Sequence, residues 1–487
     1  MGNDSTGGRL RGATTRRSLL KATAGSVAVG GVTVAGCLGA ARETGTVVMT
    51  AATDVEGIMY GDDSIQQALW DAGLDENISV EIQTVVSDSA QRMQTTQSAL
   101  EAGRAPPDIH MMDSGWTIPF ILRNQTVNLT ENLPEDVVER VNEEYLDMSL
   151  ETARHPDTED LHALPLFPDL GFTLFRRDLI EDAGYDTEGW GTDPPSWEEF
   201  SSAVADARDE AGTEYGFTTQ AAAYEGLSCC TFNEVMTSWG GAYFGGIDNL
   251  FTAGDRPVTV DEEAVIDAIR MMRSFIDGEE ENTLDDYPQI SPSTIVQWTE
   301  QESLDPFVAG DAISNRNWSY AIAEAGTEDG FGEDLGVMTR PYAVSEDEAE
   351  FEGTGGTTAA LGGWNLTVSP FSERQEEALQ VLEAFANEEV MLTVFELGGF
   401  LPPNLDLVSE ADEDDVGPVV RYADVVESAS ENAIPRPATD LWPEQSALVF
   451  QEVNAAYRGV KSPEDAMSDL ANNLEDSESE VAQQNGN

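Results

Sequence analysis

Two short segments of the chain carry residue types suited to holding a polar ligand: Thr53-Asp54-Val55-Glu56-Gly57 and Asp113-Ser114-Gly115-Trp116. In each, a carboxylate can accept hydrogen bonds from hydroxyl groups; in the second, an indole adds a flat apolar face. A carbohydrate matches this combination, because its ring has an apolar face of C–H bonds and a rim of hydroxyls that donate and accept. Other chemistries lack their residues. The histidines are His110, His155 and His162, and there is no His-Glu-x-x-His zinc helix, no Gly-x-Ser-x-Gly elbow and no phosphate-cradling loop. His155 and His162 read as loop residues, and Gly353-Thr354-Gly355-Gly356 lacks dinucleotide-binding spacing. A glycosidase pair of carboxylates is not refused by composition, since 92 residues are Asp or Glu. An exported glycoside-active enzyme is therefore the rival class.

Both segments are positioned by strands. Residues 46–51 read as a short apolar strand, 64–72 as a helix, 78–86 as an alternating strand, 90–102 as an amphipathic helix stopping at Gly103, and the segment 106–112 as supplying a third strand. That order implies a parallel sheet flanked by helices, in which ligands sit beyond the carboxyl ends of the strands. With 487 residues, two lobes are expected in place of one core.

Lys and Arg number 24, giving a formal charge of -68 and excluding nucleic-acid binding by a basic face. Only Lys21 and Lys461 are lysine. The dense acidic surface with scarce lysine resembles proteins of salt-in halophilic archaea, where molar salt screens carboxylate repulsion. Hydrophobic residues make up 40% of the chain, so it has the material for a core. Residues 1–36 read as an export signal: Arg16-Arg17 precede a mild apolar run, 22–35, that ends at Val34-Ala35-Gly36-Cys37. This resembles the twin-arginine lipoproteins of haloarchaea, which implies lipid on Cys37 and a cell-surface location on the outer face of the cytoplasmic membrane. The run is too short for a membrane span, and no other stretch approaches one. Adjacent Cys229 and Cys230 read as two small residues in a packed turn in preference to a strained vicinal disulfide.

Longer blocks carry a family resemblance. They are Leu164-Pro165-Leu166-Phe167-Pro168-Asp169 running on to Arg176-Arg177-Asp178, then Ala183-Gly184-Tyr185 and Pro194-Pro195-Ser196-Trp197; Phe307-Val308-Ala309-Gly310-Asp311-Ala312-Ile313 before Asn315-Arg316-Asn317-Trp318; Gly362-Gly363-Trp364-Asn365-Leu366; and Ile434-Pro435-Arg436-Pro437. In this order they resemble the family 1 extracellular solute-binding proteins of sugar ABC importers, and the last block is most similar to the trehalose/maltose-binding subgroup. The resemblance implies an α/β, periplasmic-binding-protein-like fold of two lobes, each a mainly parallel sheet flanked by helices, with the ligand between them. The chain would cross near Ala163, within 353–363 and within 399–403, making 46–163 plus 361–400 the first lobe and 164–360 plus 401–471 the second, after an anchor linker at 37–45. A mobile acidic tail would follow from Asn472. By the matching blocks, Trp318, Trp364 and Trp116 are ligand platforms, Asp113 and Asp169 acceptors for hydroxyls, and Arg436 a fork of donors, with Glu56 in the first site loop a further candidate. The implied function is binding of a di- or oligosaccharide by a monomer, without cofactor, metal or turnover. Its partners would be ABC permease subunits with a cytoplasmic ATPase. A surface sugar receptor for signalling needs the same cleft.

Overall fold

Strand β1 (Thr46–Ala52) is almost entirely buried, as its near-continuous apolar run demands, and pairs in parallel with β2 (Ser79–Val85) and β3 (Ile109–Asp113). The connecting helices, Asp63–Asp71 and Ser89–Glu101, start where Asp62 and Asp88 accept the backbone N–H groups of Ser64 and Gln91. The structure, a computed structural model, describes residues 45–52, 59–254 and 256–485; the export segment, Cys37 and Glu56 lie outside them.

Strand β4 (Leu164–Leu170) leads through Gly171 into β5 (Phe172–Arg176), which belongs to a second sheet with β6 (Tyr215–Thr218), β7 (Ala312–Asn317) and β8 (Leu335–Met338) in the order β6-β7-β5-β8. The first sheet is completed by β9 (Ala359–Val368), antiparallel to β3 and β4, and by β10 (Ala433–Ile434), parallel to the start of β9. Strand direction is thus mixed: β9 returns against β3 and β4, and β5 runs against both β7 and β8.

Each lobe has its own core. One gathers Val47, Met49, Ile109, Val141 and Leu382; another gathers Phe200, Phe217, Phe275, Trp442 and Val449. Leu164, Leu166 and Phe167 pack in the first core, whereas Leu170 and Phe172 join a cluster with Leu335 and Ile322. The chain therefore changes cores at 168–171, later than the crossing expected near Ala163, because β4 is a strand of the first sheet.

The acidic end of the chain departs from its reading as a mobile tail from Asn472. It forms the second half of the helix Pro463–Asn485. Met467, Leu470 and Leu474 are buried along one stripe, a spacing obscured in the sequence by the intervening acids. Glu478, one turn on, accepts hydrogen bonds from Arg256 Nε at 2.9 Å and from the Gly254 N–H at 2.6 Å.

His110, on β3, is buried and neither ring nitrogen has a hydrogen-bond partner. Burial, opposed by the charge of Asp108, pushes its pKa down to about 4. Between about pH 6.5 and 4 the unfolded chain therefore binds a proton that the native chain refuses, and stability falls as pH falls through that window, by about 1.4 kcal/mol per pH unit. Denaturant titrations at pH 7.5, 5.5 and 4.5 should show this extra acid loss in wild type and not in His110→Leu. Equal acid slopes in the two proteins would refute it.

Candidate ligand site between the lobes

Asp113 is the last residue of β3, at the carboxyl end where the parallel-sheet reading expects a site, and lies opposite Trp364 on β9. Its Oδ1 accepts the Gly115 N–H at 2.7 Å and Arg436 Nη1 at 2.9 Å; its Oδ2 accepts the Ser89 hydroxyl at 3.1 Å. The Trp116 indole N–H donates to the same Ser89 oxygen at 3.0 Å. Trp116 is buried beside Leu100, Met112 and Phe120, with Trp364 at the margin of this group. The Arg92 guanidinium carbon lies 3.8 Å from the Trp364 ring centroid, a cation–π contact.

Arg436 follows β10 and spans the gap between the lobes. Its Nη1 donates to Asp113 and also to Glu225 Oε1 at 2.5 Å, while Nη2 reaches Ser114 Oγ at 3.4 Å. A Cβ on Gly115 would lie 2.5 Å from Nη1, so glycine at 115 lets the guanidinium lie over the backbone. Burial, relieved by Arg436 and reinforced by the charge of Asp113, pushes the Glu225 carboxyl up to about 7, although 20% of its side chain still meets solvent. Sequence reasoning missed Glu225. It stands outside the blocks that carry the resemblance, and among so many acids only its place beside Arg436 distinguishes it.

Trp318 follows β7 and is 8% exposed. The Arg316 guanidinium carbon is 4.0 Å from its ring centroid. That arginine is held by both oxygens of fully buried Glu234, at 2.9 and 2.7 Å; Glu234 also binds Arg340 and accepts the Ala360 N–H at 2.9 Å. Cys229 and Cys230 form a disulfide and pack with Trp318 and Ala360, so the packed-turn reading of two free cysteines does not hold.

Strand β9 links these groups. Ala360, Gly362 and Trp364 alternate onto one face, and the first two are small enough for side chains to crowd in. Asp169, on β4, pairs opposite Gly362, and a Cβ at 362 would lie 3.2 Å from the Asp169 Cβ and 3.5 Å from Trp318 Cη2. The structure thus brings Asp113, Trp116, Trp364 and Arg436 together at one end and Asp169 with Trp318 at the other. A cavity of about 30 Å³ beside Arg436 is lined by Ser114, Thr152, Phe251, Leu361 and Pro435. It would hold about one water, far short of the roughly 300 Å³ of a small-molecule pocket. Among the described residues no group of three or more His, Cys, Asp or Glu could hold a metal ion, and no helix is long and apolar enough to cross a membrane.

A probable ABC transporter-binding protein of Deinococcus radiodurans is 25% identical over 419 residues, covering 85% of this chain and 88% of its own. Among solved structures, maltose-bound MalE3 of T. maritima is similar with a TM-score of 0.72 at 23% identity, covering 88% of this chain and 98% of that one. A solute-binding protein from Agrobacterium radiobacter K84, in complex with ribitol, is similar with a TM-score of 0.69 at 15% identity, covering 89% and 99%. These structures share the two-lobed architecture described above. Residues 61–392, from the turn before the first described long helix to the helices beyond β9, match the family described as bacterial extracellular solute-binding protein. Both lobes and the strand that joins them fall largely within that match, and the chain belongs to this family of solute-binding proteins that serve ABC transporters.

Proposed function

We propose that the protein captures a di- or oligosaccharide outside the cell and delivers it to an ABC permease, from an anchor on Cys37, without altering the sugar. The observation that carries this reading is the arrangement along β9: Trp116 and Trp364 with Asp113 and Arg436 near one part of the strand, and Trp318 with Asp169 near another. Indoles cover the apolar face of a ring, while carboxylates and the guanidinium satisfy its hydroxyls. Maltose in one similar structure and ribitol in another are both polyhydroxylated, which supports the ligand class. Sugar touching groups of both lobes favours closure by its difference in affinity for the closed and open forms, and closure is the state a permease reads.

Titration with maltose, trehalose and sucrose in molar salt, followed by intrinsic fluorescence and by chromatography of the sugar, tests the reading. Saturable binding with intact sugar is expected; catalytic release of product would make the protein an enzyme and overturn it. Trp318→Ala should weaken binding roughly ten- to a hundred-fold, corresponding to about 1–3 kcal/mol for a lost stacking platform. Wild-type affinity in folded Trp318→Ala would remove that residue from the site.

A further inference from the structure

The Cys229–Cys230 pair joins neighbours in sequence, so it closes no loop. A cross-link stabilises a fold chiefly by restricting the unfolded chain, more so for longer loops, and here there is no loop to restrict. Its consequence must be local. The pair lies in a π-helical turn, Leu227–Thr231, that opens the helix Phe232–Ser238; such turns interrupt helical register and recur at functional sites. Its flanks, Leu227 and Phe232, pack into the second lobe's core, but the two cysteines do not. They form a separate cluster with Trp318 and with Ala360 of β9, bordered by Tyr320. The same turn is tied to the polar part of the site, for the Ser228 hydroxyl donates to the carbonyl of Glu225 at 2.9 Å, and Glu225 is the acceptor facing Arg436.

We propose that the Cys229–Cys230 disulfide is a ligand-contacting element: with Trp318 it makes the apolar wall of the second lobe against which the C–H face of the sugar lies, so that affinity depends on the oxidised pair. This rests on the sugar-binding reading above. A bonded pair of polarizable sulfurs offers apolar contact without an S–H donor and holds the two sulfurs together; the reduced pair carries two S–H groups whose sulfurs are free to turn apart. Arg316 lies against the Trp318 ring, so the sulfurs extend the apolar surface where the indole alone is already partly covered.

The test compares oxidised wild type, wild type reduced with a phosphine, and the double variant Cys229→Ala with Cys230→Ala, each titrated with maltose, trehalose and sucrose. Reduction should also change the indole emission of wild type, through the contact with Trp318, and should not do so in Trp318→Phe. The expected result is an affinity lowered about tenfold or more in the reduced protein and in the double variant, at an unchanged thermal midpoint, and restored on reoxidation. If the double variant fails to fold, reduction and reoxidation of wild type give the same comparison. Affinity within about twofold in both redox states overturns the proposal, as does an equal emission change in Trp318→Phe. Failure of oxidised wild type to bind any of the sugars instead overturns the sugar reading, and this proposal falls with it.

Discussion

Arg436→Ala is expected to lose ligand binding and to leave the lobes apart. One nitrogen of this guanidinium serves Asp113 from the first lobe and Glu225 from the second, whose side chains are 9% and 20% exposed. Without it two carboxylates face each other with little solvent between them. Removing one partner from a buried ion pair costs about 3–5 kcal/mol, which corresponds to a loss of affinity of roughly a hundred- to several-thousand-fold. The defect has a pH signature. The Glu225 carboxyl is already raised to about 7 with Arg436 present, and without the guanidinium it would take up a proton more readily still. Protonation removes the repulsion, so the variant should recover part of its affinity between pH 8 and pH 6, and Glu225→Gln in the same background should recover it at both. Sugar titrations and small-angle scattering at the two pH values check this. Wild-type affinity and radius at pH 8 would show that Arg436 does not join the lobes.

Glu234→Ala should be as damaging, but to folding. Glu234 is fully buried and receives Arg316, Arg340 and the Ala360 N–H. Its loss strands two guanidiniums that are 3% exposed or less, and burial has already pulled Arg340 down to about 10. The expected loss of stability is about 4 kcal/mol or more, read from denaturant midpoints, with Glu234→Gln only partly better because it keeps the volume and loses the charge. Gly171→Ala should act in the same direction, since its Cβ would lie 1.9 Å from Glu234 Oε1. A midpoint within error of wild type for Glu234→Ala would mean the network contributes nothing.

The order of β1, β2 and β3 with their helices is legible in the sequence because each element buries a face with its own period, and Asp113 is legible because it ends a strand. Trp318, Arg436 and Asp169 stand in ordered blocks of residues that resemble a family. The remaining features depend on tertiary partners. Glu225 gains meaning only from Arg436, more than two hundred residues later, and the cysteines only from the π turn that sets them beside Trp318. The final helix looks like a solvated acidic run until Leu470 and Leu474 are seen against the core, with Glu478 paired to Arg256.

That final helix also bears on the order of events at the ribosome. The core of the second lobe begins with Phe175 and Phe200 but is filled in part by Trp442, Val449, Leu470 and Leu474, supplied from far later in the chain. Those late residues have not left the exit tunnel when the earlier part of that lobe emerges, so the lobe cannot complete its core until they follow. Its apolar surface must wait, exposed, for partners far away in sequence, which favours slow closure and help from chaperones. The first lobe draws its distant contributions from Leu366 to Leu407 and is released from that wait sooner.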